Sequence, residues 1–81
     1  MKTVSIIGQG FTGAIMSIVC ARAKKKKKLL FKVFGIERDN SYGNKIISEL
    51  NSGIFPFKNN DQFLKSELKK VIKQKNFIVT N

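Results

Sequence analysis

The stretch that decides the fold is KTVSIIGQGFTGAIMSIV, residues 2–19, in which an apolar segment runs through three closely spaced glycines into a second apolar segment. Residues 3–7 are rich in β-branched types and predict a strand that ends at Gly8. After the glycines, apolar residues recur at the spacing of one buried helix face: Phe11, Ala14, Ile15, Ile18 and Val19. The stretch therefore predicts a strand, a tight turn and a helix.

The remaining chain alternates between strand and helix patterns. The helix ends in a run of lysines, and the apolar run 29–36 predicts a second strand. A short helix follows, with Ile46, Ile47 and Leu50 on one side and its end at Asn51 or Gly53. A third helix is predicted from a cap at Asn60, with Asp61 in its first turn, and residues 76–80 predict a third strand. The apolar stripe of this third helix comprises Leu64, Leu68, Val71 and Ile72.

This order predicts an α/β fold. Right-handed crossovers between successive strands give a parallel three-stranded sheet in the spatial order 3-2-1 with flanking helices, which is a partial Rossmann fold. Residues 1–81 would then form only the first half of such a fold. The first strand would then have one bare edge.

Composition narrows the classes of function. The single cysteine, Cys20, and the absence of histidine exclude an internal disulfide and predict no metal site. A net charge of +11 raises nucleic acid, an anionic membrane or a nucleotide as partners. No apolar run is long enough to span a bilayer and no secretory signal is present, which predicts a cytoplasmic protein without a membrane partner. Four aromatic residues fall where core positions are expected: Phe31, Phe34, Phe63 and Phe77.

The three glycines match the pattern G-x-G-x-x-G of dinucleotide-binding folds. Gly8 would permit the tight turn, Gly10 would let the backbone approach the pyrophosphate, and Gly13 would let the helix lie close to the strand. The phosphates would then sit at the helix N-terminus, where N–H groups and the helix dipole attract anions. The alternative is a generic turn that only packs a helix on a strand.

The motif also requires an acidic residue at the end of the second strand. Glu37 closes KVFGIE at that position, 24 residues after Gly13 (37 − 13), and five inserted lysines explain the long spacing. Its carboxylate would bind the adenosine ribose and repel the 2′-phosphate of NADP, which favours NAD. The neighbouring Arg38 could instead bind that phosphate, although a surface role is favoured. The predicted cofactor-binding residues are Gly8, Gln9, Gly10, Phe11, Thr12, Gly13, Glu37 and Arg38.

With these residues in place, the chain resembles the N-terminal part of the nucleotide-sugar dehydrogenases, the UDP-glucose and GDP-mannose dehydrogenase family. The resemblance rests on KTVSIIGQGFTG, VFGIERD, IISELNSGIFPF and NFIVTN, and it covers essentially the whole chain. It implies oxidation of the C6 hydroxyl of a nucleotide-linked sugar to a carboxylate in two steps, with reduction of two NAD, in polysaccharide biosynthesis. A nucleotide sugar and a homo-oligomer are implied only for the full-length relative.

The resemblance supplies no catalytic residue in this chain. The family's catalytic cysteine and lysine lie far beyond residue 81, and Cys20 sits inside the first predicted helix with no base beside it, as a packing residue does. Lys45 resembles a family lysine near the ribose only loosely. By this resemblance the chain would be a fragment of an NAD-dependent UDP-sugar dehydrogenase that is inactive alone. Residues 1–81 would form the N-terminal half of its NAD-binding Rossmann domain, with the substrate and C-terminal domains absent.

The five consecutive lysines, Lys24 to Lys28, predict a solvated loop at the amino ends of the strands, opposite the cofactor. The alternative is a small basic module that contacts nucleic acid or another polyanion through its lysines. No aromatic or reading helix accompanies the charge, so no specific nucleic-acid partner is expected.

Overall fold

A computed structural model describes residues 1–81 and contains a three-stranded sheet, a small hairpin and three helices. The predicted order of strands and helices is confirmed, and the hairpin lies between the first helix and the second long strand. The elements are β1 (Lys2–Ile7), α1 (Phe11–Arg22), β2 (Lys24–Lys25), β3 (Lys28–Leu29), β4 (Phe31–Ile36), α2 (Ser41–Asn51), α3 (Gln62–Gln74) and β5 (Phe77–Thr80).

The sheet has the order β1-β4-β5 with all strands parallel, as the crossover rule predicts. Val4 lies opposite Val33 in the first pair, and Gly35 lies opposite Val79 in the second. The three strands therefore end together at one edge, where the loops after β1 and β4 meet.

A single core lies between the sheet and the helices. All three helices contribute to it, and α1 also packs against α3. The buried apolar residues are Ala14, Ile18, Ala21, Val33, Ile46, Leu50, Phe55, Leu68, Val71, Phe77 and Val79.

The opposite face of the sheet and the free edge of β1 are uncovered. Alternation along the strands places Ile7 and Ile78 on this face, where they are 85% and 38% exposed. Parallel sheets are normally covered on both faces, whereas the helices cover one face of this partial Rossmann-like sheet. None of the helices is long and apolar enough to cross a membrane.

The free edge of β5 is treated differently from that of β1. The Asn51 side chain, at the end of α2, donates to the Val79 carbonyl and accepts from the Val79 N–H, both at 2.8 Å. The amide thus supplies the hydrogen bonds that another strand would supply at the centre of this edge. The helix ends in the segment NSG, residues 51–53, with Gly53 in the left-handed region at φ 78°.

Three details of the helices differ from prediction. The buried face of α1 includes Ser17 and Ala21, whereas the predicted Phe11 and Val19 are 45% and 52% exposed. Phe11 packs edge-on against Phe55 and Phe57, and the Val19 side chain faces solvent. The α3 cap is Asp61, whose carboxylate accepts from the Leu64 N–H at 3.1 Å, one residue after the predicted cap.

The expectation that all four aromatic residues occupy the core is wrong for Phe34 and Phe63. Phe77 is buried and Phe31 packs against the core, while Phe34 is half-buried on the uncovered face. Phe63 comes one residue before the buried stripe of α3, and its side chain is 61% exposed. The Arg22 guanidinium lies 5.1 Å from the centre of its ring.

An ion pair joins α1 to α3. Arg22 Nε donates to the Glu67 carboxylate at 2.7 Å, and Lys70 Nζ lies 3.4 Å from its other oxygen. The Glu67 side chain is only 7% exposed, and the hydrogen bond from Arg22 is the largest cause that lowers its pKa from the usual range. A buried carboxylate with two cationic partners is thereby kept ionised.

Glu67 should make the protein sensitive to acid. Because its folded pKa lies below the unfolded value of about 4.5, its contribution to stability is present above that pH and is lost as the pH falls through the folded pKa. We expect Glu67→Gln to cost about 1 kcal/mol at pH 7, because the ion pair with the Arg22 guanidinium becomes a weaker hydrogen bond to a neutral amide oxygen. Urea denaturation at pH 7 and pH 3 should show that the difference in unfolding free energy between wild type and variant becomes smaller in acid. A gap that stays constant would contradict this role.

Candidate functional site

The glycine turn joins β1 to α1 at the carboxyl edge of the sheet. Gly8 has φ 86°, a left-handed conformation that favours glycine, and its N–H donates to the Ile36 carbonyl at 2.8 Å. Gly13 is required for a second reason: a Cβ on it would lie 1.9 Å from the Gly8 carbonyl oxygen. The turn and the first helical residues therefore pack backbone against backbone, as the spacing of the motif predicts.

The N-terminus of α1 is open. Gly10 occupies the cap position, no side chain caps the helix, and a Cβ on Gly10 would meet nothing within 4 Å. The first N–H groups of a helix have no intrahelical acceptor and carry the positive end of the dipole. Thr12 lies exposed in this first turn. An anion can approach the backbone here without obstruction.

Glu37 is tied to the glycine turn. Its carboxylate accepts from the Arg38 N–H at 3.0 Å and from the Gln9 N–H at 2.7 Å. These backbone hydrogen bonds, that of Arg38 first, hold the pKa of Glu37 below its usual range, so the carboxylate is ionised at neutral pH. The turn and the end of β4 are thus one unit, although 28 residues separate Gln9 from Glu37.

An open crevice of about 380 Å³ lies between the ends of β1 and β4. Its lining includes the ionised Glu37 and the exposed Arg38 beside two apolar strand ends, and it consists of Ile7, Gly8, Ile36, Glu37 and Arg38. An apolar surface with one acceptor suits the adenosine half of a nucleotide. Lys45 is not part of this lining and lies 4.0 Å from Glu49 on α2.

The Gln9 side chain points away from the crevice. It is fully buried, donates to the Ile6 carbonyl at 3.0 Å and accepts from the Ser17 hydroxyl at 3.2 Å. A Cβ on Gly35 would lie 2.6 Å from this side chain, so the glycine in β4 makes the room for it. Gln9 therefore reaches the site only through its backbone, and its side chain holds the turn in shape.

An aromatic cluster lies beside the helix N-terminus. The Phe11 ring meets those of Phe55 and Phe57 edge-on, with centroids 5.9 and 6.2 Å away. This contact fixes the IFPF segment after α2 against the start of α1. Sequence patterns did not predict Ser17, Gly35, Phe55 or Phe57 as supports of the site, because their partners are distant in the chain or irregularly spaced.

Comparison with known proteins finds similar solved structures. No protein-family model matches the chain, and no curated protein matches its sequence. Among solved structures, an NDP-N-acetyl-D-galactosaminuronic acid dehydrogenase from Methanosarcina mazei Go1 is similar over 99% of this chain at 28% identity, with a TM-score of 0.86. A UDP-glucose dehydrogenase from Pyrobaculum islandicum is similar over 100% of this chain at 18% identity, with a TM-score of 0.76, which shows the shared fold.

The chain spans 16% of the length of each of these two enzymes. Its partial Rossmann fold and the placement of its glycine turn agree with the motifs that carry the resemblance in sequence. The predicted resemblance is therefore confirmed: over its whole length this chain is a structural counterpart of part of a nucleotide-sugar dehydrogenase.

Proposed function

We propose that the chain is the NAD-binding N-terminal portion of a nucleotide-sugar 6-dehydrogenase, and that it is not catalytically competent alone. The observation that carries the proposal is the joining of an uncapped helix N-terminus at Gly10 to an ionised Glu37 through the Gln9 N–H. These are the two anchors that a dinucleotide requires, one for its pyrophosphate and one for its adenosine ribose. The dehydrogenase names of the two similar structures support the same assignment.

The proposed roles follow the geometry. The first-turn N–H groups after Gly10 would hold the pyrophosphate, and Gly8 and Gly13 would keep the turn close to the helix. Glu37 Oε2, which bonds only the Arg38 N–H in this chain, would accept from a ribose hydroxyl at the crevice. Phe11 and Thr12 would contribute through their backbone at the first turn. Arg38 would lie beside the adenosine.

The ionised Glu37 favours NAD over NADP. A carboxylate fixed by two backbone donors cannot move away from a 2′-phosphate without losing both hydrogen bonds. The chemistry of the full enzyme would be hydride transfer from the sugar C6 to the nicotinamide, with the nicotinamide half held by the remaining part of a dinucleotide-binding domain. We propose the cytoplasm as the location, where nucleotide sugars would be oxidised for polysaccharide synthesis.

Isothermal titration of the chain with NAD tests the proposal. We expect weak saturable binding that changes little between 50 and 300 mM salt and falls about tenfold or more in Glu37→Gln, because a ribose acceptor of full charge is lost. NADP should bind more weakly than NAD to wild type, and the difference should narrow in the variant. Glu49→Gln, which removes the same charge from α2, is the matched control and should leave NAD binding unchanged.

Two results would count against the proposal. Heat that disappears at high salt and is insensitive to Glu37 would reflect charge alone. A folded chain that shows no binding at millimolar NAD would mean that the glycine turn serves only packing in this chain.

A further inference from the structure

The lysine run forms an ordered β-hairpin where a solvated loop was predicted. β2 and β3 pair antiparallel, with Lys24 opposite Leu29 and Lys25 opposite Lys28. The turn residues Lys26 and Lys27 have φ 52° and 66°, the left-handed geometry of a tight hairpin turn that Asn-Gly normally fills. We call residues 24–29 the lysine hairpin.

The lysine hairpin concentrates unbalanced positive charge. All five lysines are exposed, and the three ion pairs of the protein lie elsewhere, on α1, α2 and α3. Lys25 and Lys28 stand directly opposite one another, an arrangement of like charges that destabilises a strand pair. A bound polyanion would remove this repulsion. Lysines at left-handed turn positions and like charges on opposite strands both disfavour the hairpin, which points to a ligand that stabilises it.

An open cleft of about 720 Å³ adjoins the lysine hairpin at the amino ends of the strands. Its lining includes four lysines, Lys2, Lys25, Lys26 and Lys28, together with Met1 and residues 29–31. Four cations around one cleft can contact several phosphates of a continuous backbone at once. An isolated anion would use only part of this surface.

From these observations we propose that the lysine hairpin binds the phosphate backbone of nucleic acid without reading its sequence. The tight turn and the two short strands hold Lys25 to Lys28 close together, so the hairpin offers several point charges to one phosphate backbone. A two-stranded ribbon also fits the major groove, which is about 12 Å wide. Lysines offer point charges, and the hairpin contains no arginine or amide to read base edges.

A membrane fits this surface less well. The tip of the lysine hairpin is Lys26 and Lys27, while the apolar residues Leu29 and Leu30 lie at its base. A hairpin that inserts into lipid needs apolar residues at the tip.

The lysine hairpin is separate from the crevice, since β1 spans six residues, about 20 Å, between the two ends of the sheet. Nucleic acid and NAD should therefore bind independently.

Fluorescence anisotropy with a labelled 20-base-pair duplex of mixed sequence tests the proposal, with two variants that each lower the net charge by three. The hairpin variant changes Lys25, Lys26 and Lys28 to Gln, and the helix variant changes Lys65, Lys69 and Lys73 to Gln on α3. At 0.1 M salt we expect the hairpin variant to lose about 100-fold or more in affinity and its slope of log K against log salt to shrink by about 2.7. The helix variant should lose less than about threefold.

A double substitution separates binding from folding. Lys26→Asn with Lys27→Gly replaces the turn by the residues its geometry prefers, so the urea midpoint should rise while duplex affinity falls. Equal losses in the hairpin and helix variants would overturn the proposal in favour of diffuse charge. It would also be overturned by no binding at 50 mM salt, by tighter binding to phosphatidylserine vesicles than to the duplex, or by competition from NAD.

Discussion

Gly13→Ala should destabilise the chain by about 3 kcal/mol or more. The added Cβ would lie 1.9 Å from the Gly8 carbonyl oxygen and 3.0 Å from its carbon, and neither is a side chain that can rotate away. Overpacking typically costs about 1–3 kcal/mol and more when backbone must shift, which exceeds the gain of about 1 kcal/mol from replacing glycine by alanine in a helix. Small domains have only about 5–15 kcal/mol in total. Urea denaturation followed by circular dichroism measures the loss.

Gly10→Ala is the matched control for this prediction. Nothing lies within 4 Å of the added Cβ and φ is −69°, so we expect a stability cost below about 1 kcal/mol. The same methyl group would stand where the pyrophosphate must approach, so NAD binding should weaken in a variant that folds normally. Similar stability losses in both variants would contradict the backbone contact. Unchanged NAD binding to the Gly10 variant would contradict the site.

Asn51→Ala should cost about 2–4 kcal/mol. The change removes two hydrogen bonds of 2.8 Å and leaves both polar groups of the buried Val79 backbone without their partner. Each buried group left unsatisfied costs about 1–3 kcal/mol, reduced where water can reach the edge of the strand. Equilibrium unfolding in urea measures the total. Hydrogen exchange at the Val79 amide reports the local effect.

Asn51→Asp provides a sharper comparison, because the aspartate retains an acceptor for the Val79 N–H and loses only the donor to its carbonyl. We expect a loss at neutral pH at least as large as that for alanine, since a carboxylate would then face a carbonyl oxygen. Lowering the pH to protonate the aspartate should recover part of the difference. An Asp variant as stable as wild type would show that the donated hydrogen bond contributes nothing.

The sequence was most informative where a feature depends on neighbours along the chain. The strand before Gly8, the helix after it and the α3 stripe are local patterns, and crossover handedness then orders the strands without knowledge of any contact. The proximity of Glu37 to the glycine turn could also be expected, because the end of the second strand must lie beside that turn in this topology.

The remaining features depend on partners distant in the chain. The pairing of Asn51 with Val79 joins residues 28 apart. Asparagine is common at helix ends, and no local pattern shows that this one also binds the edge of a strand. Phe63 and Val19 carry core-like side chains but face solvent, because burial depends on which surfaces the chain supplies. The lysine hairpin escaped prediction because lysine has no preference for left-handed turns, so its order is visible only in the backbone.

The two outer edges of the sheet differ in whether another strand can pair with them. At the β5 edge, the Asn51 amide already occupies the central hydrogen-bonding groups, whereas β1 presents its edge unpaired. A strand from any source can therefore be added on one side only. If two copies met, they would join β1 to β1 and leave an Asn51-capped edge at each end. Association through the sheet would stop at a pair, because a fibre requires two open edges on every member.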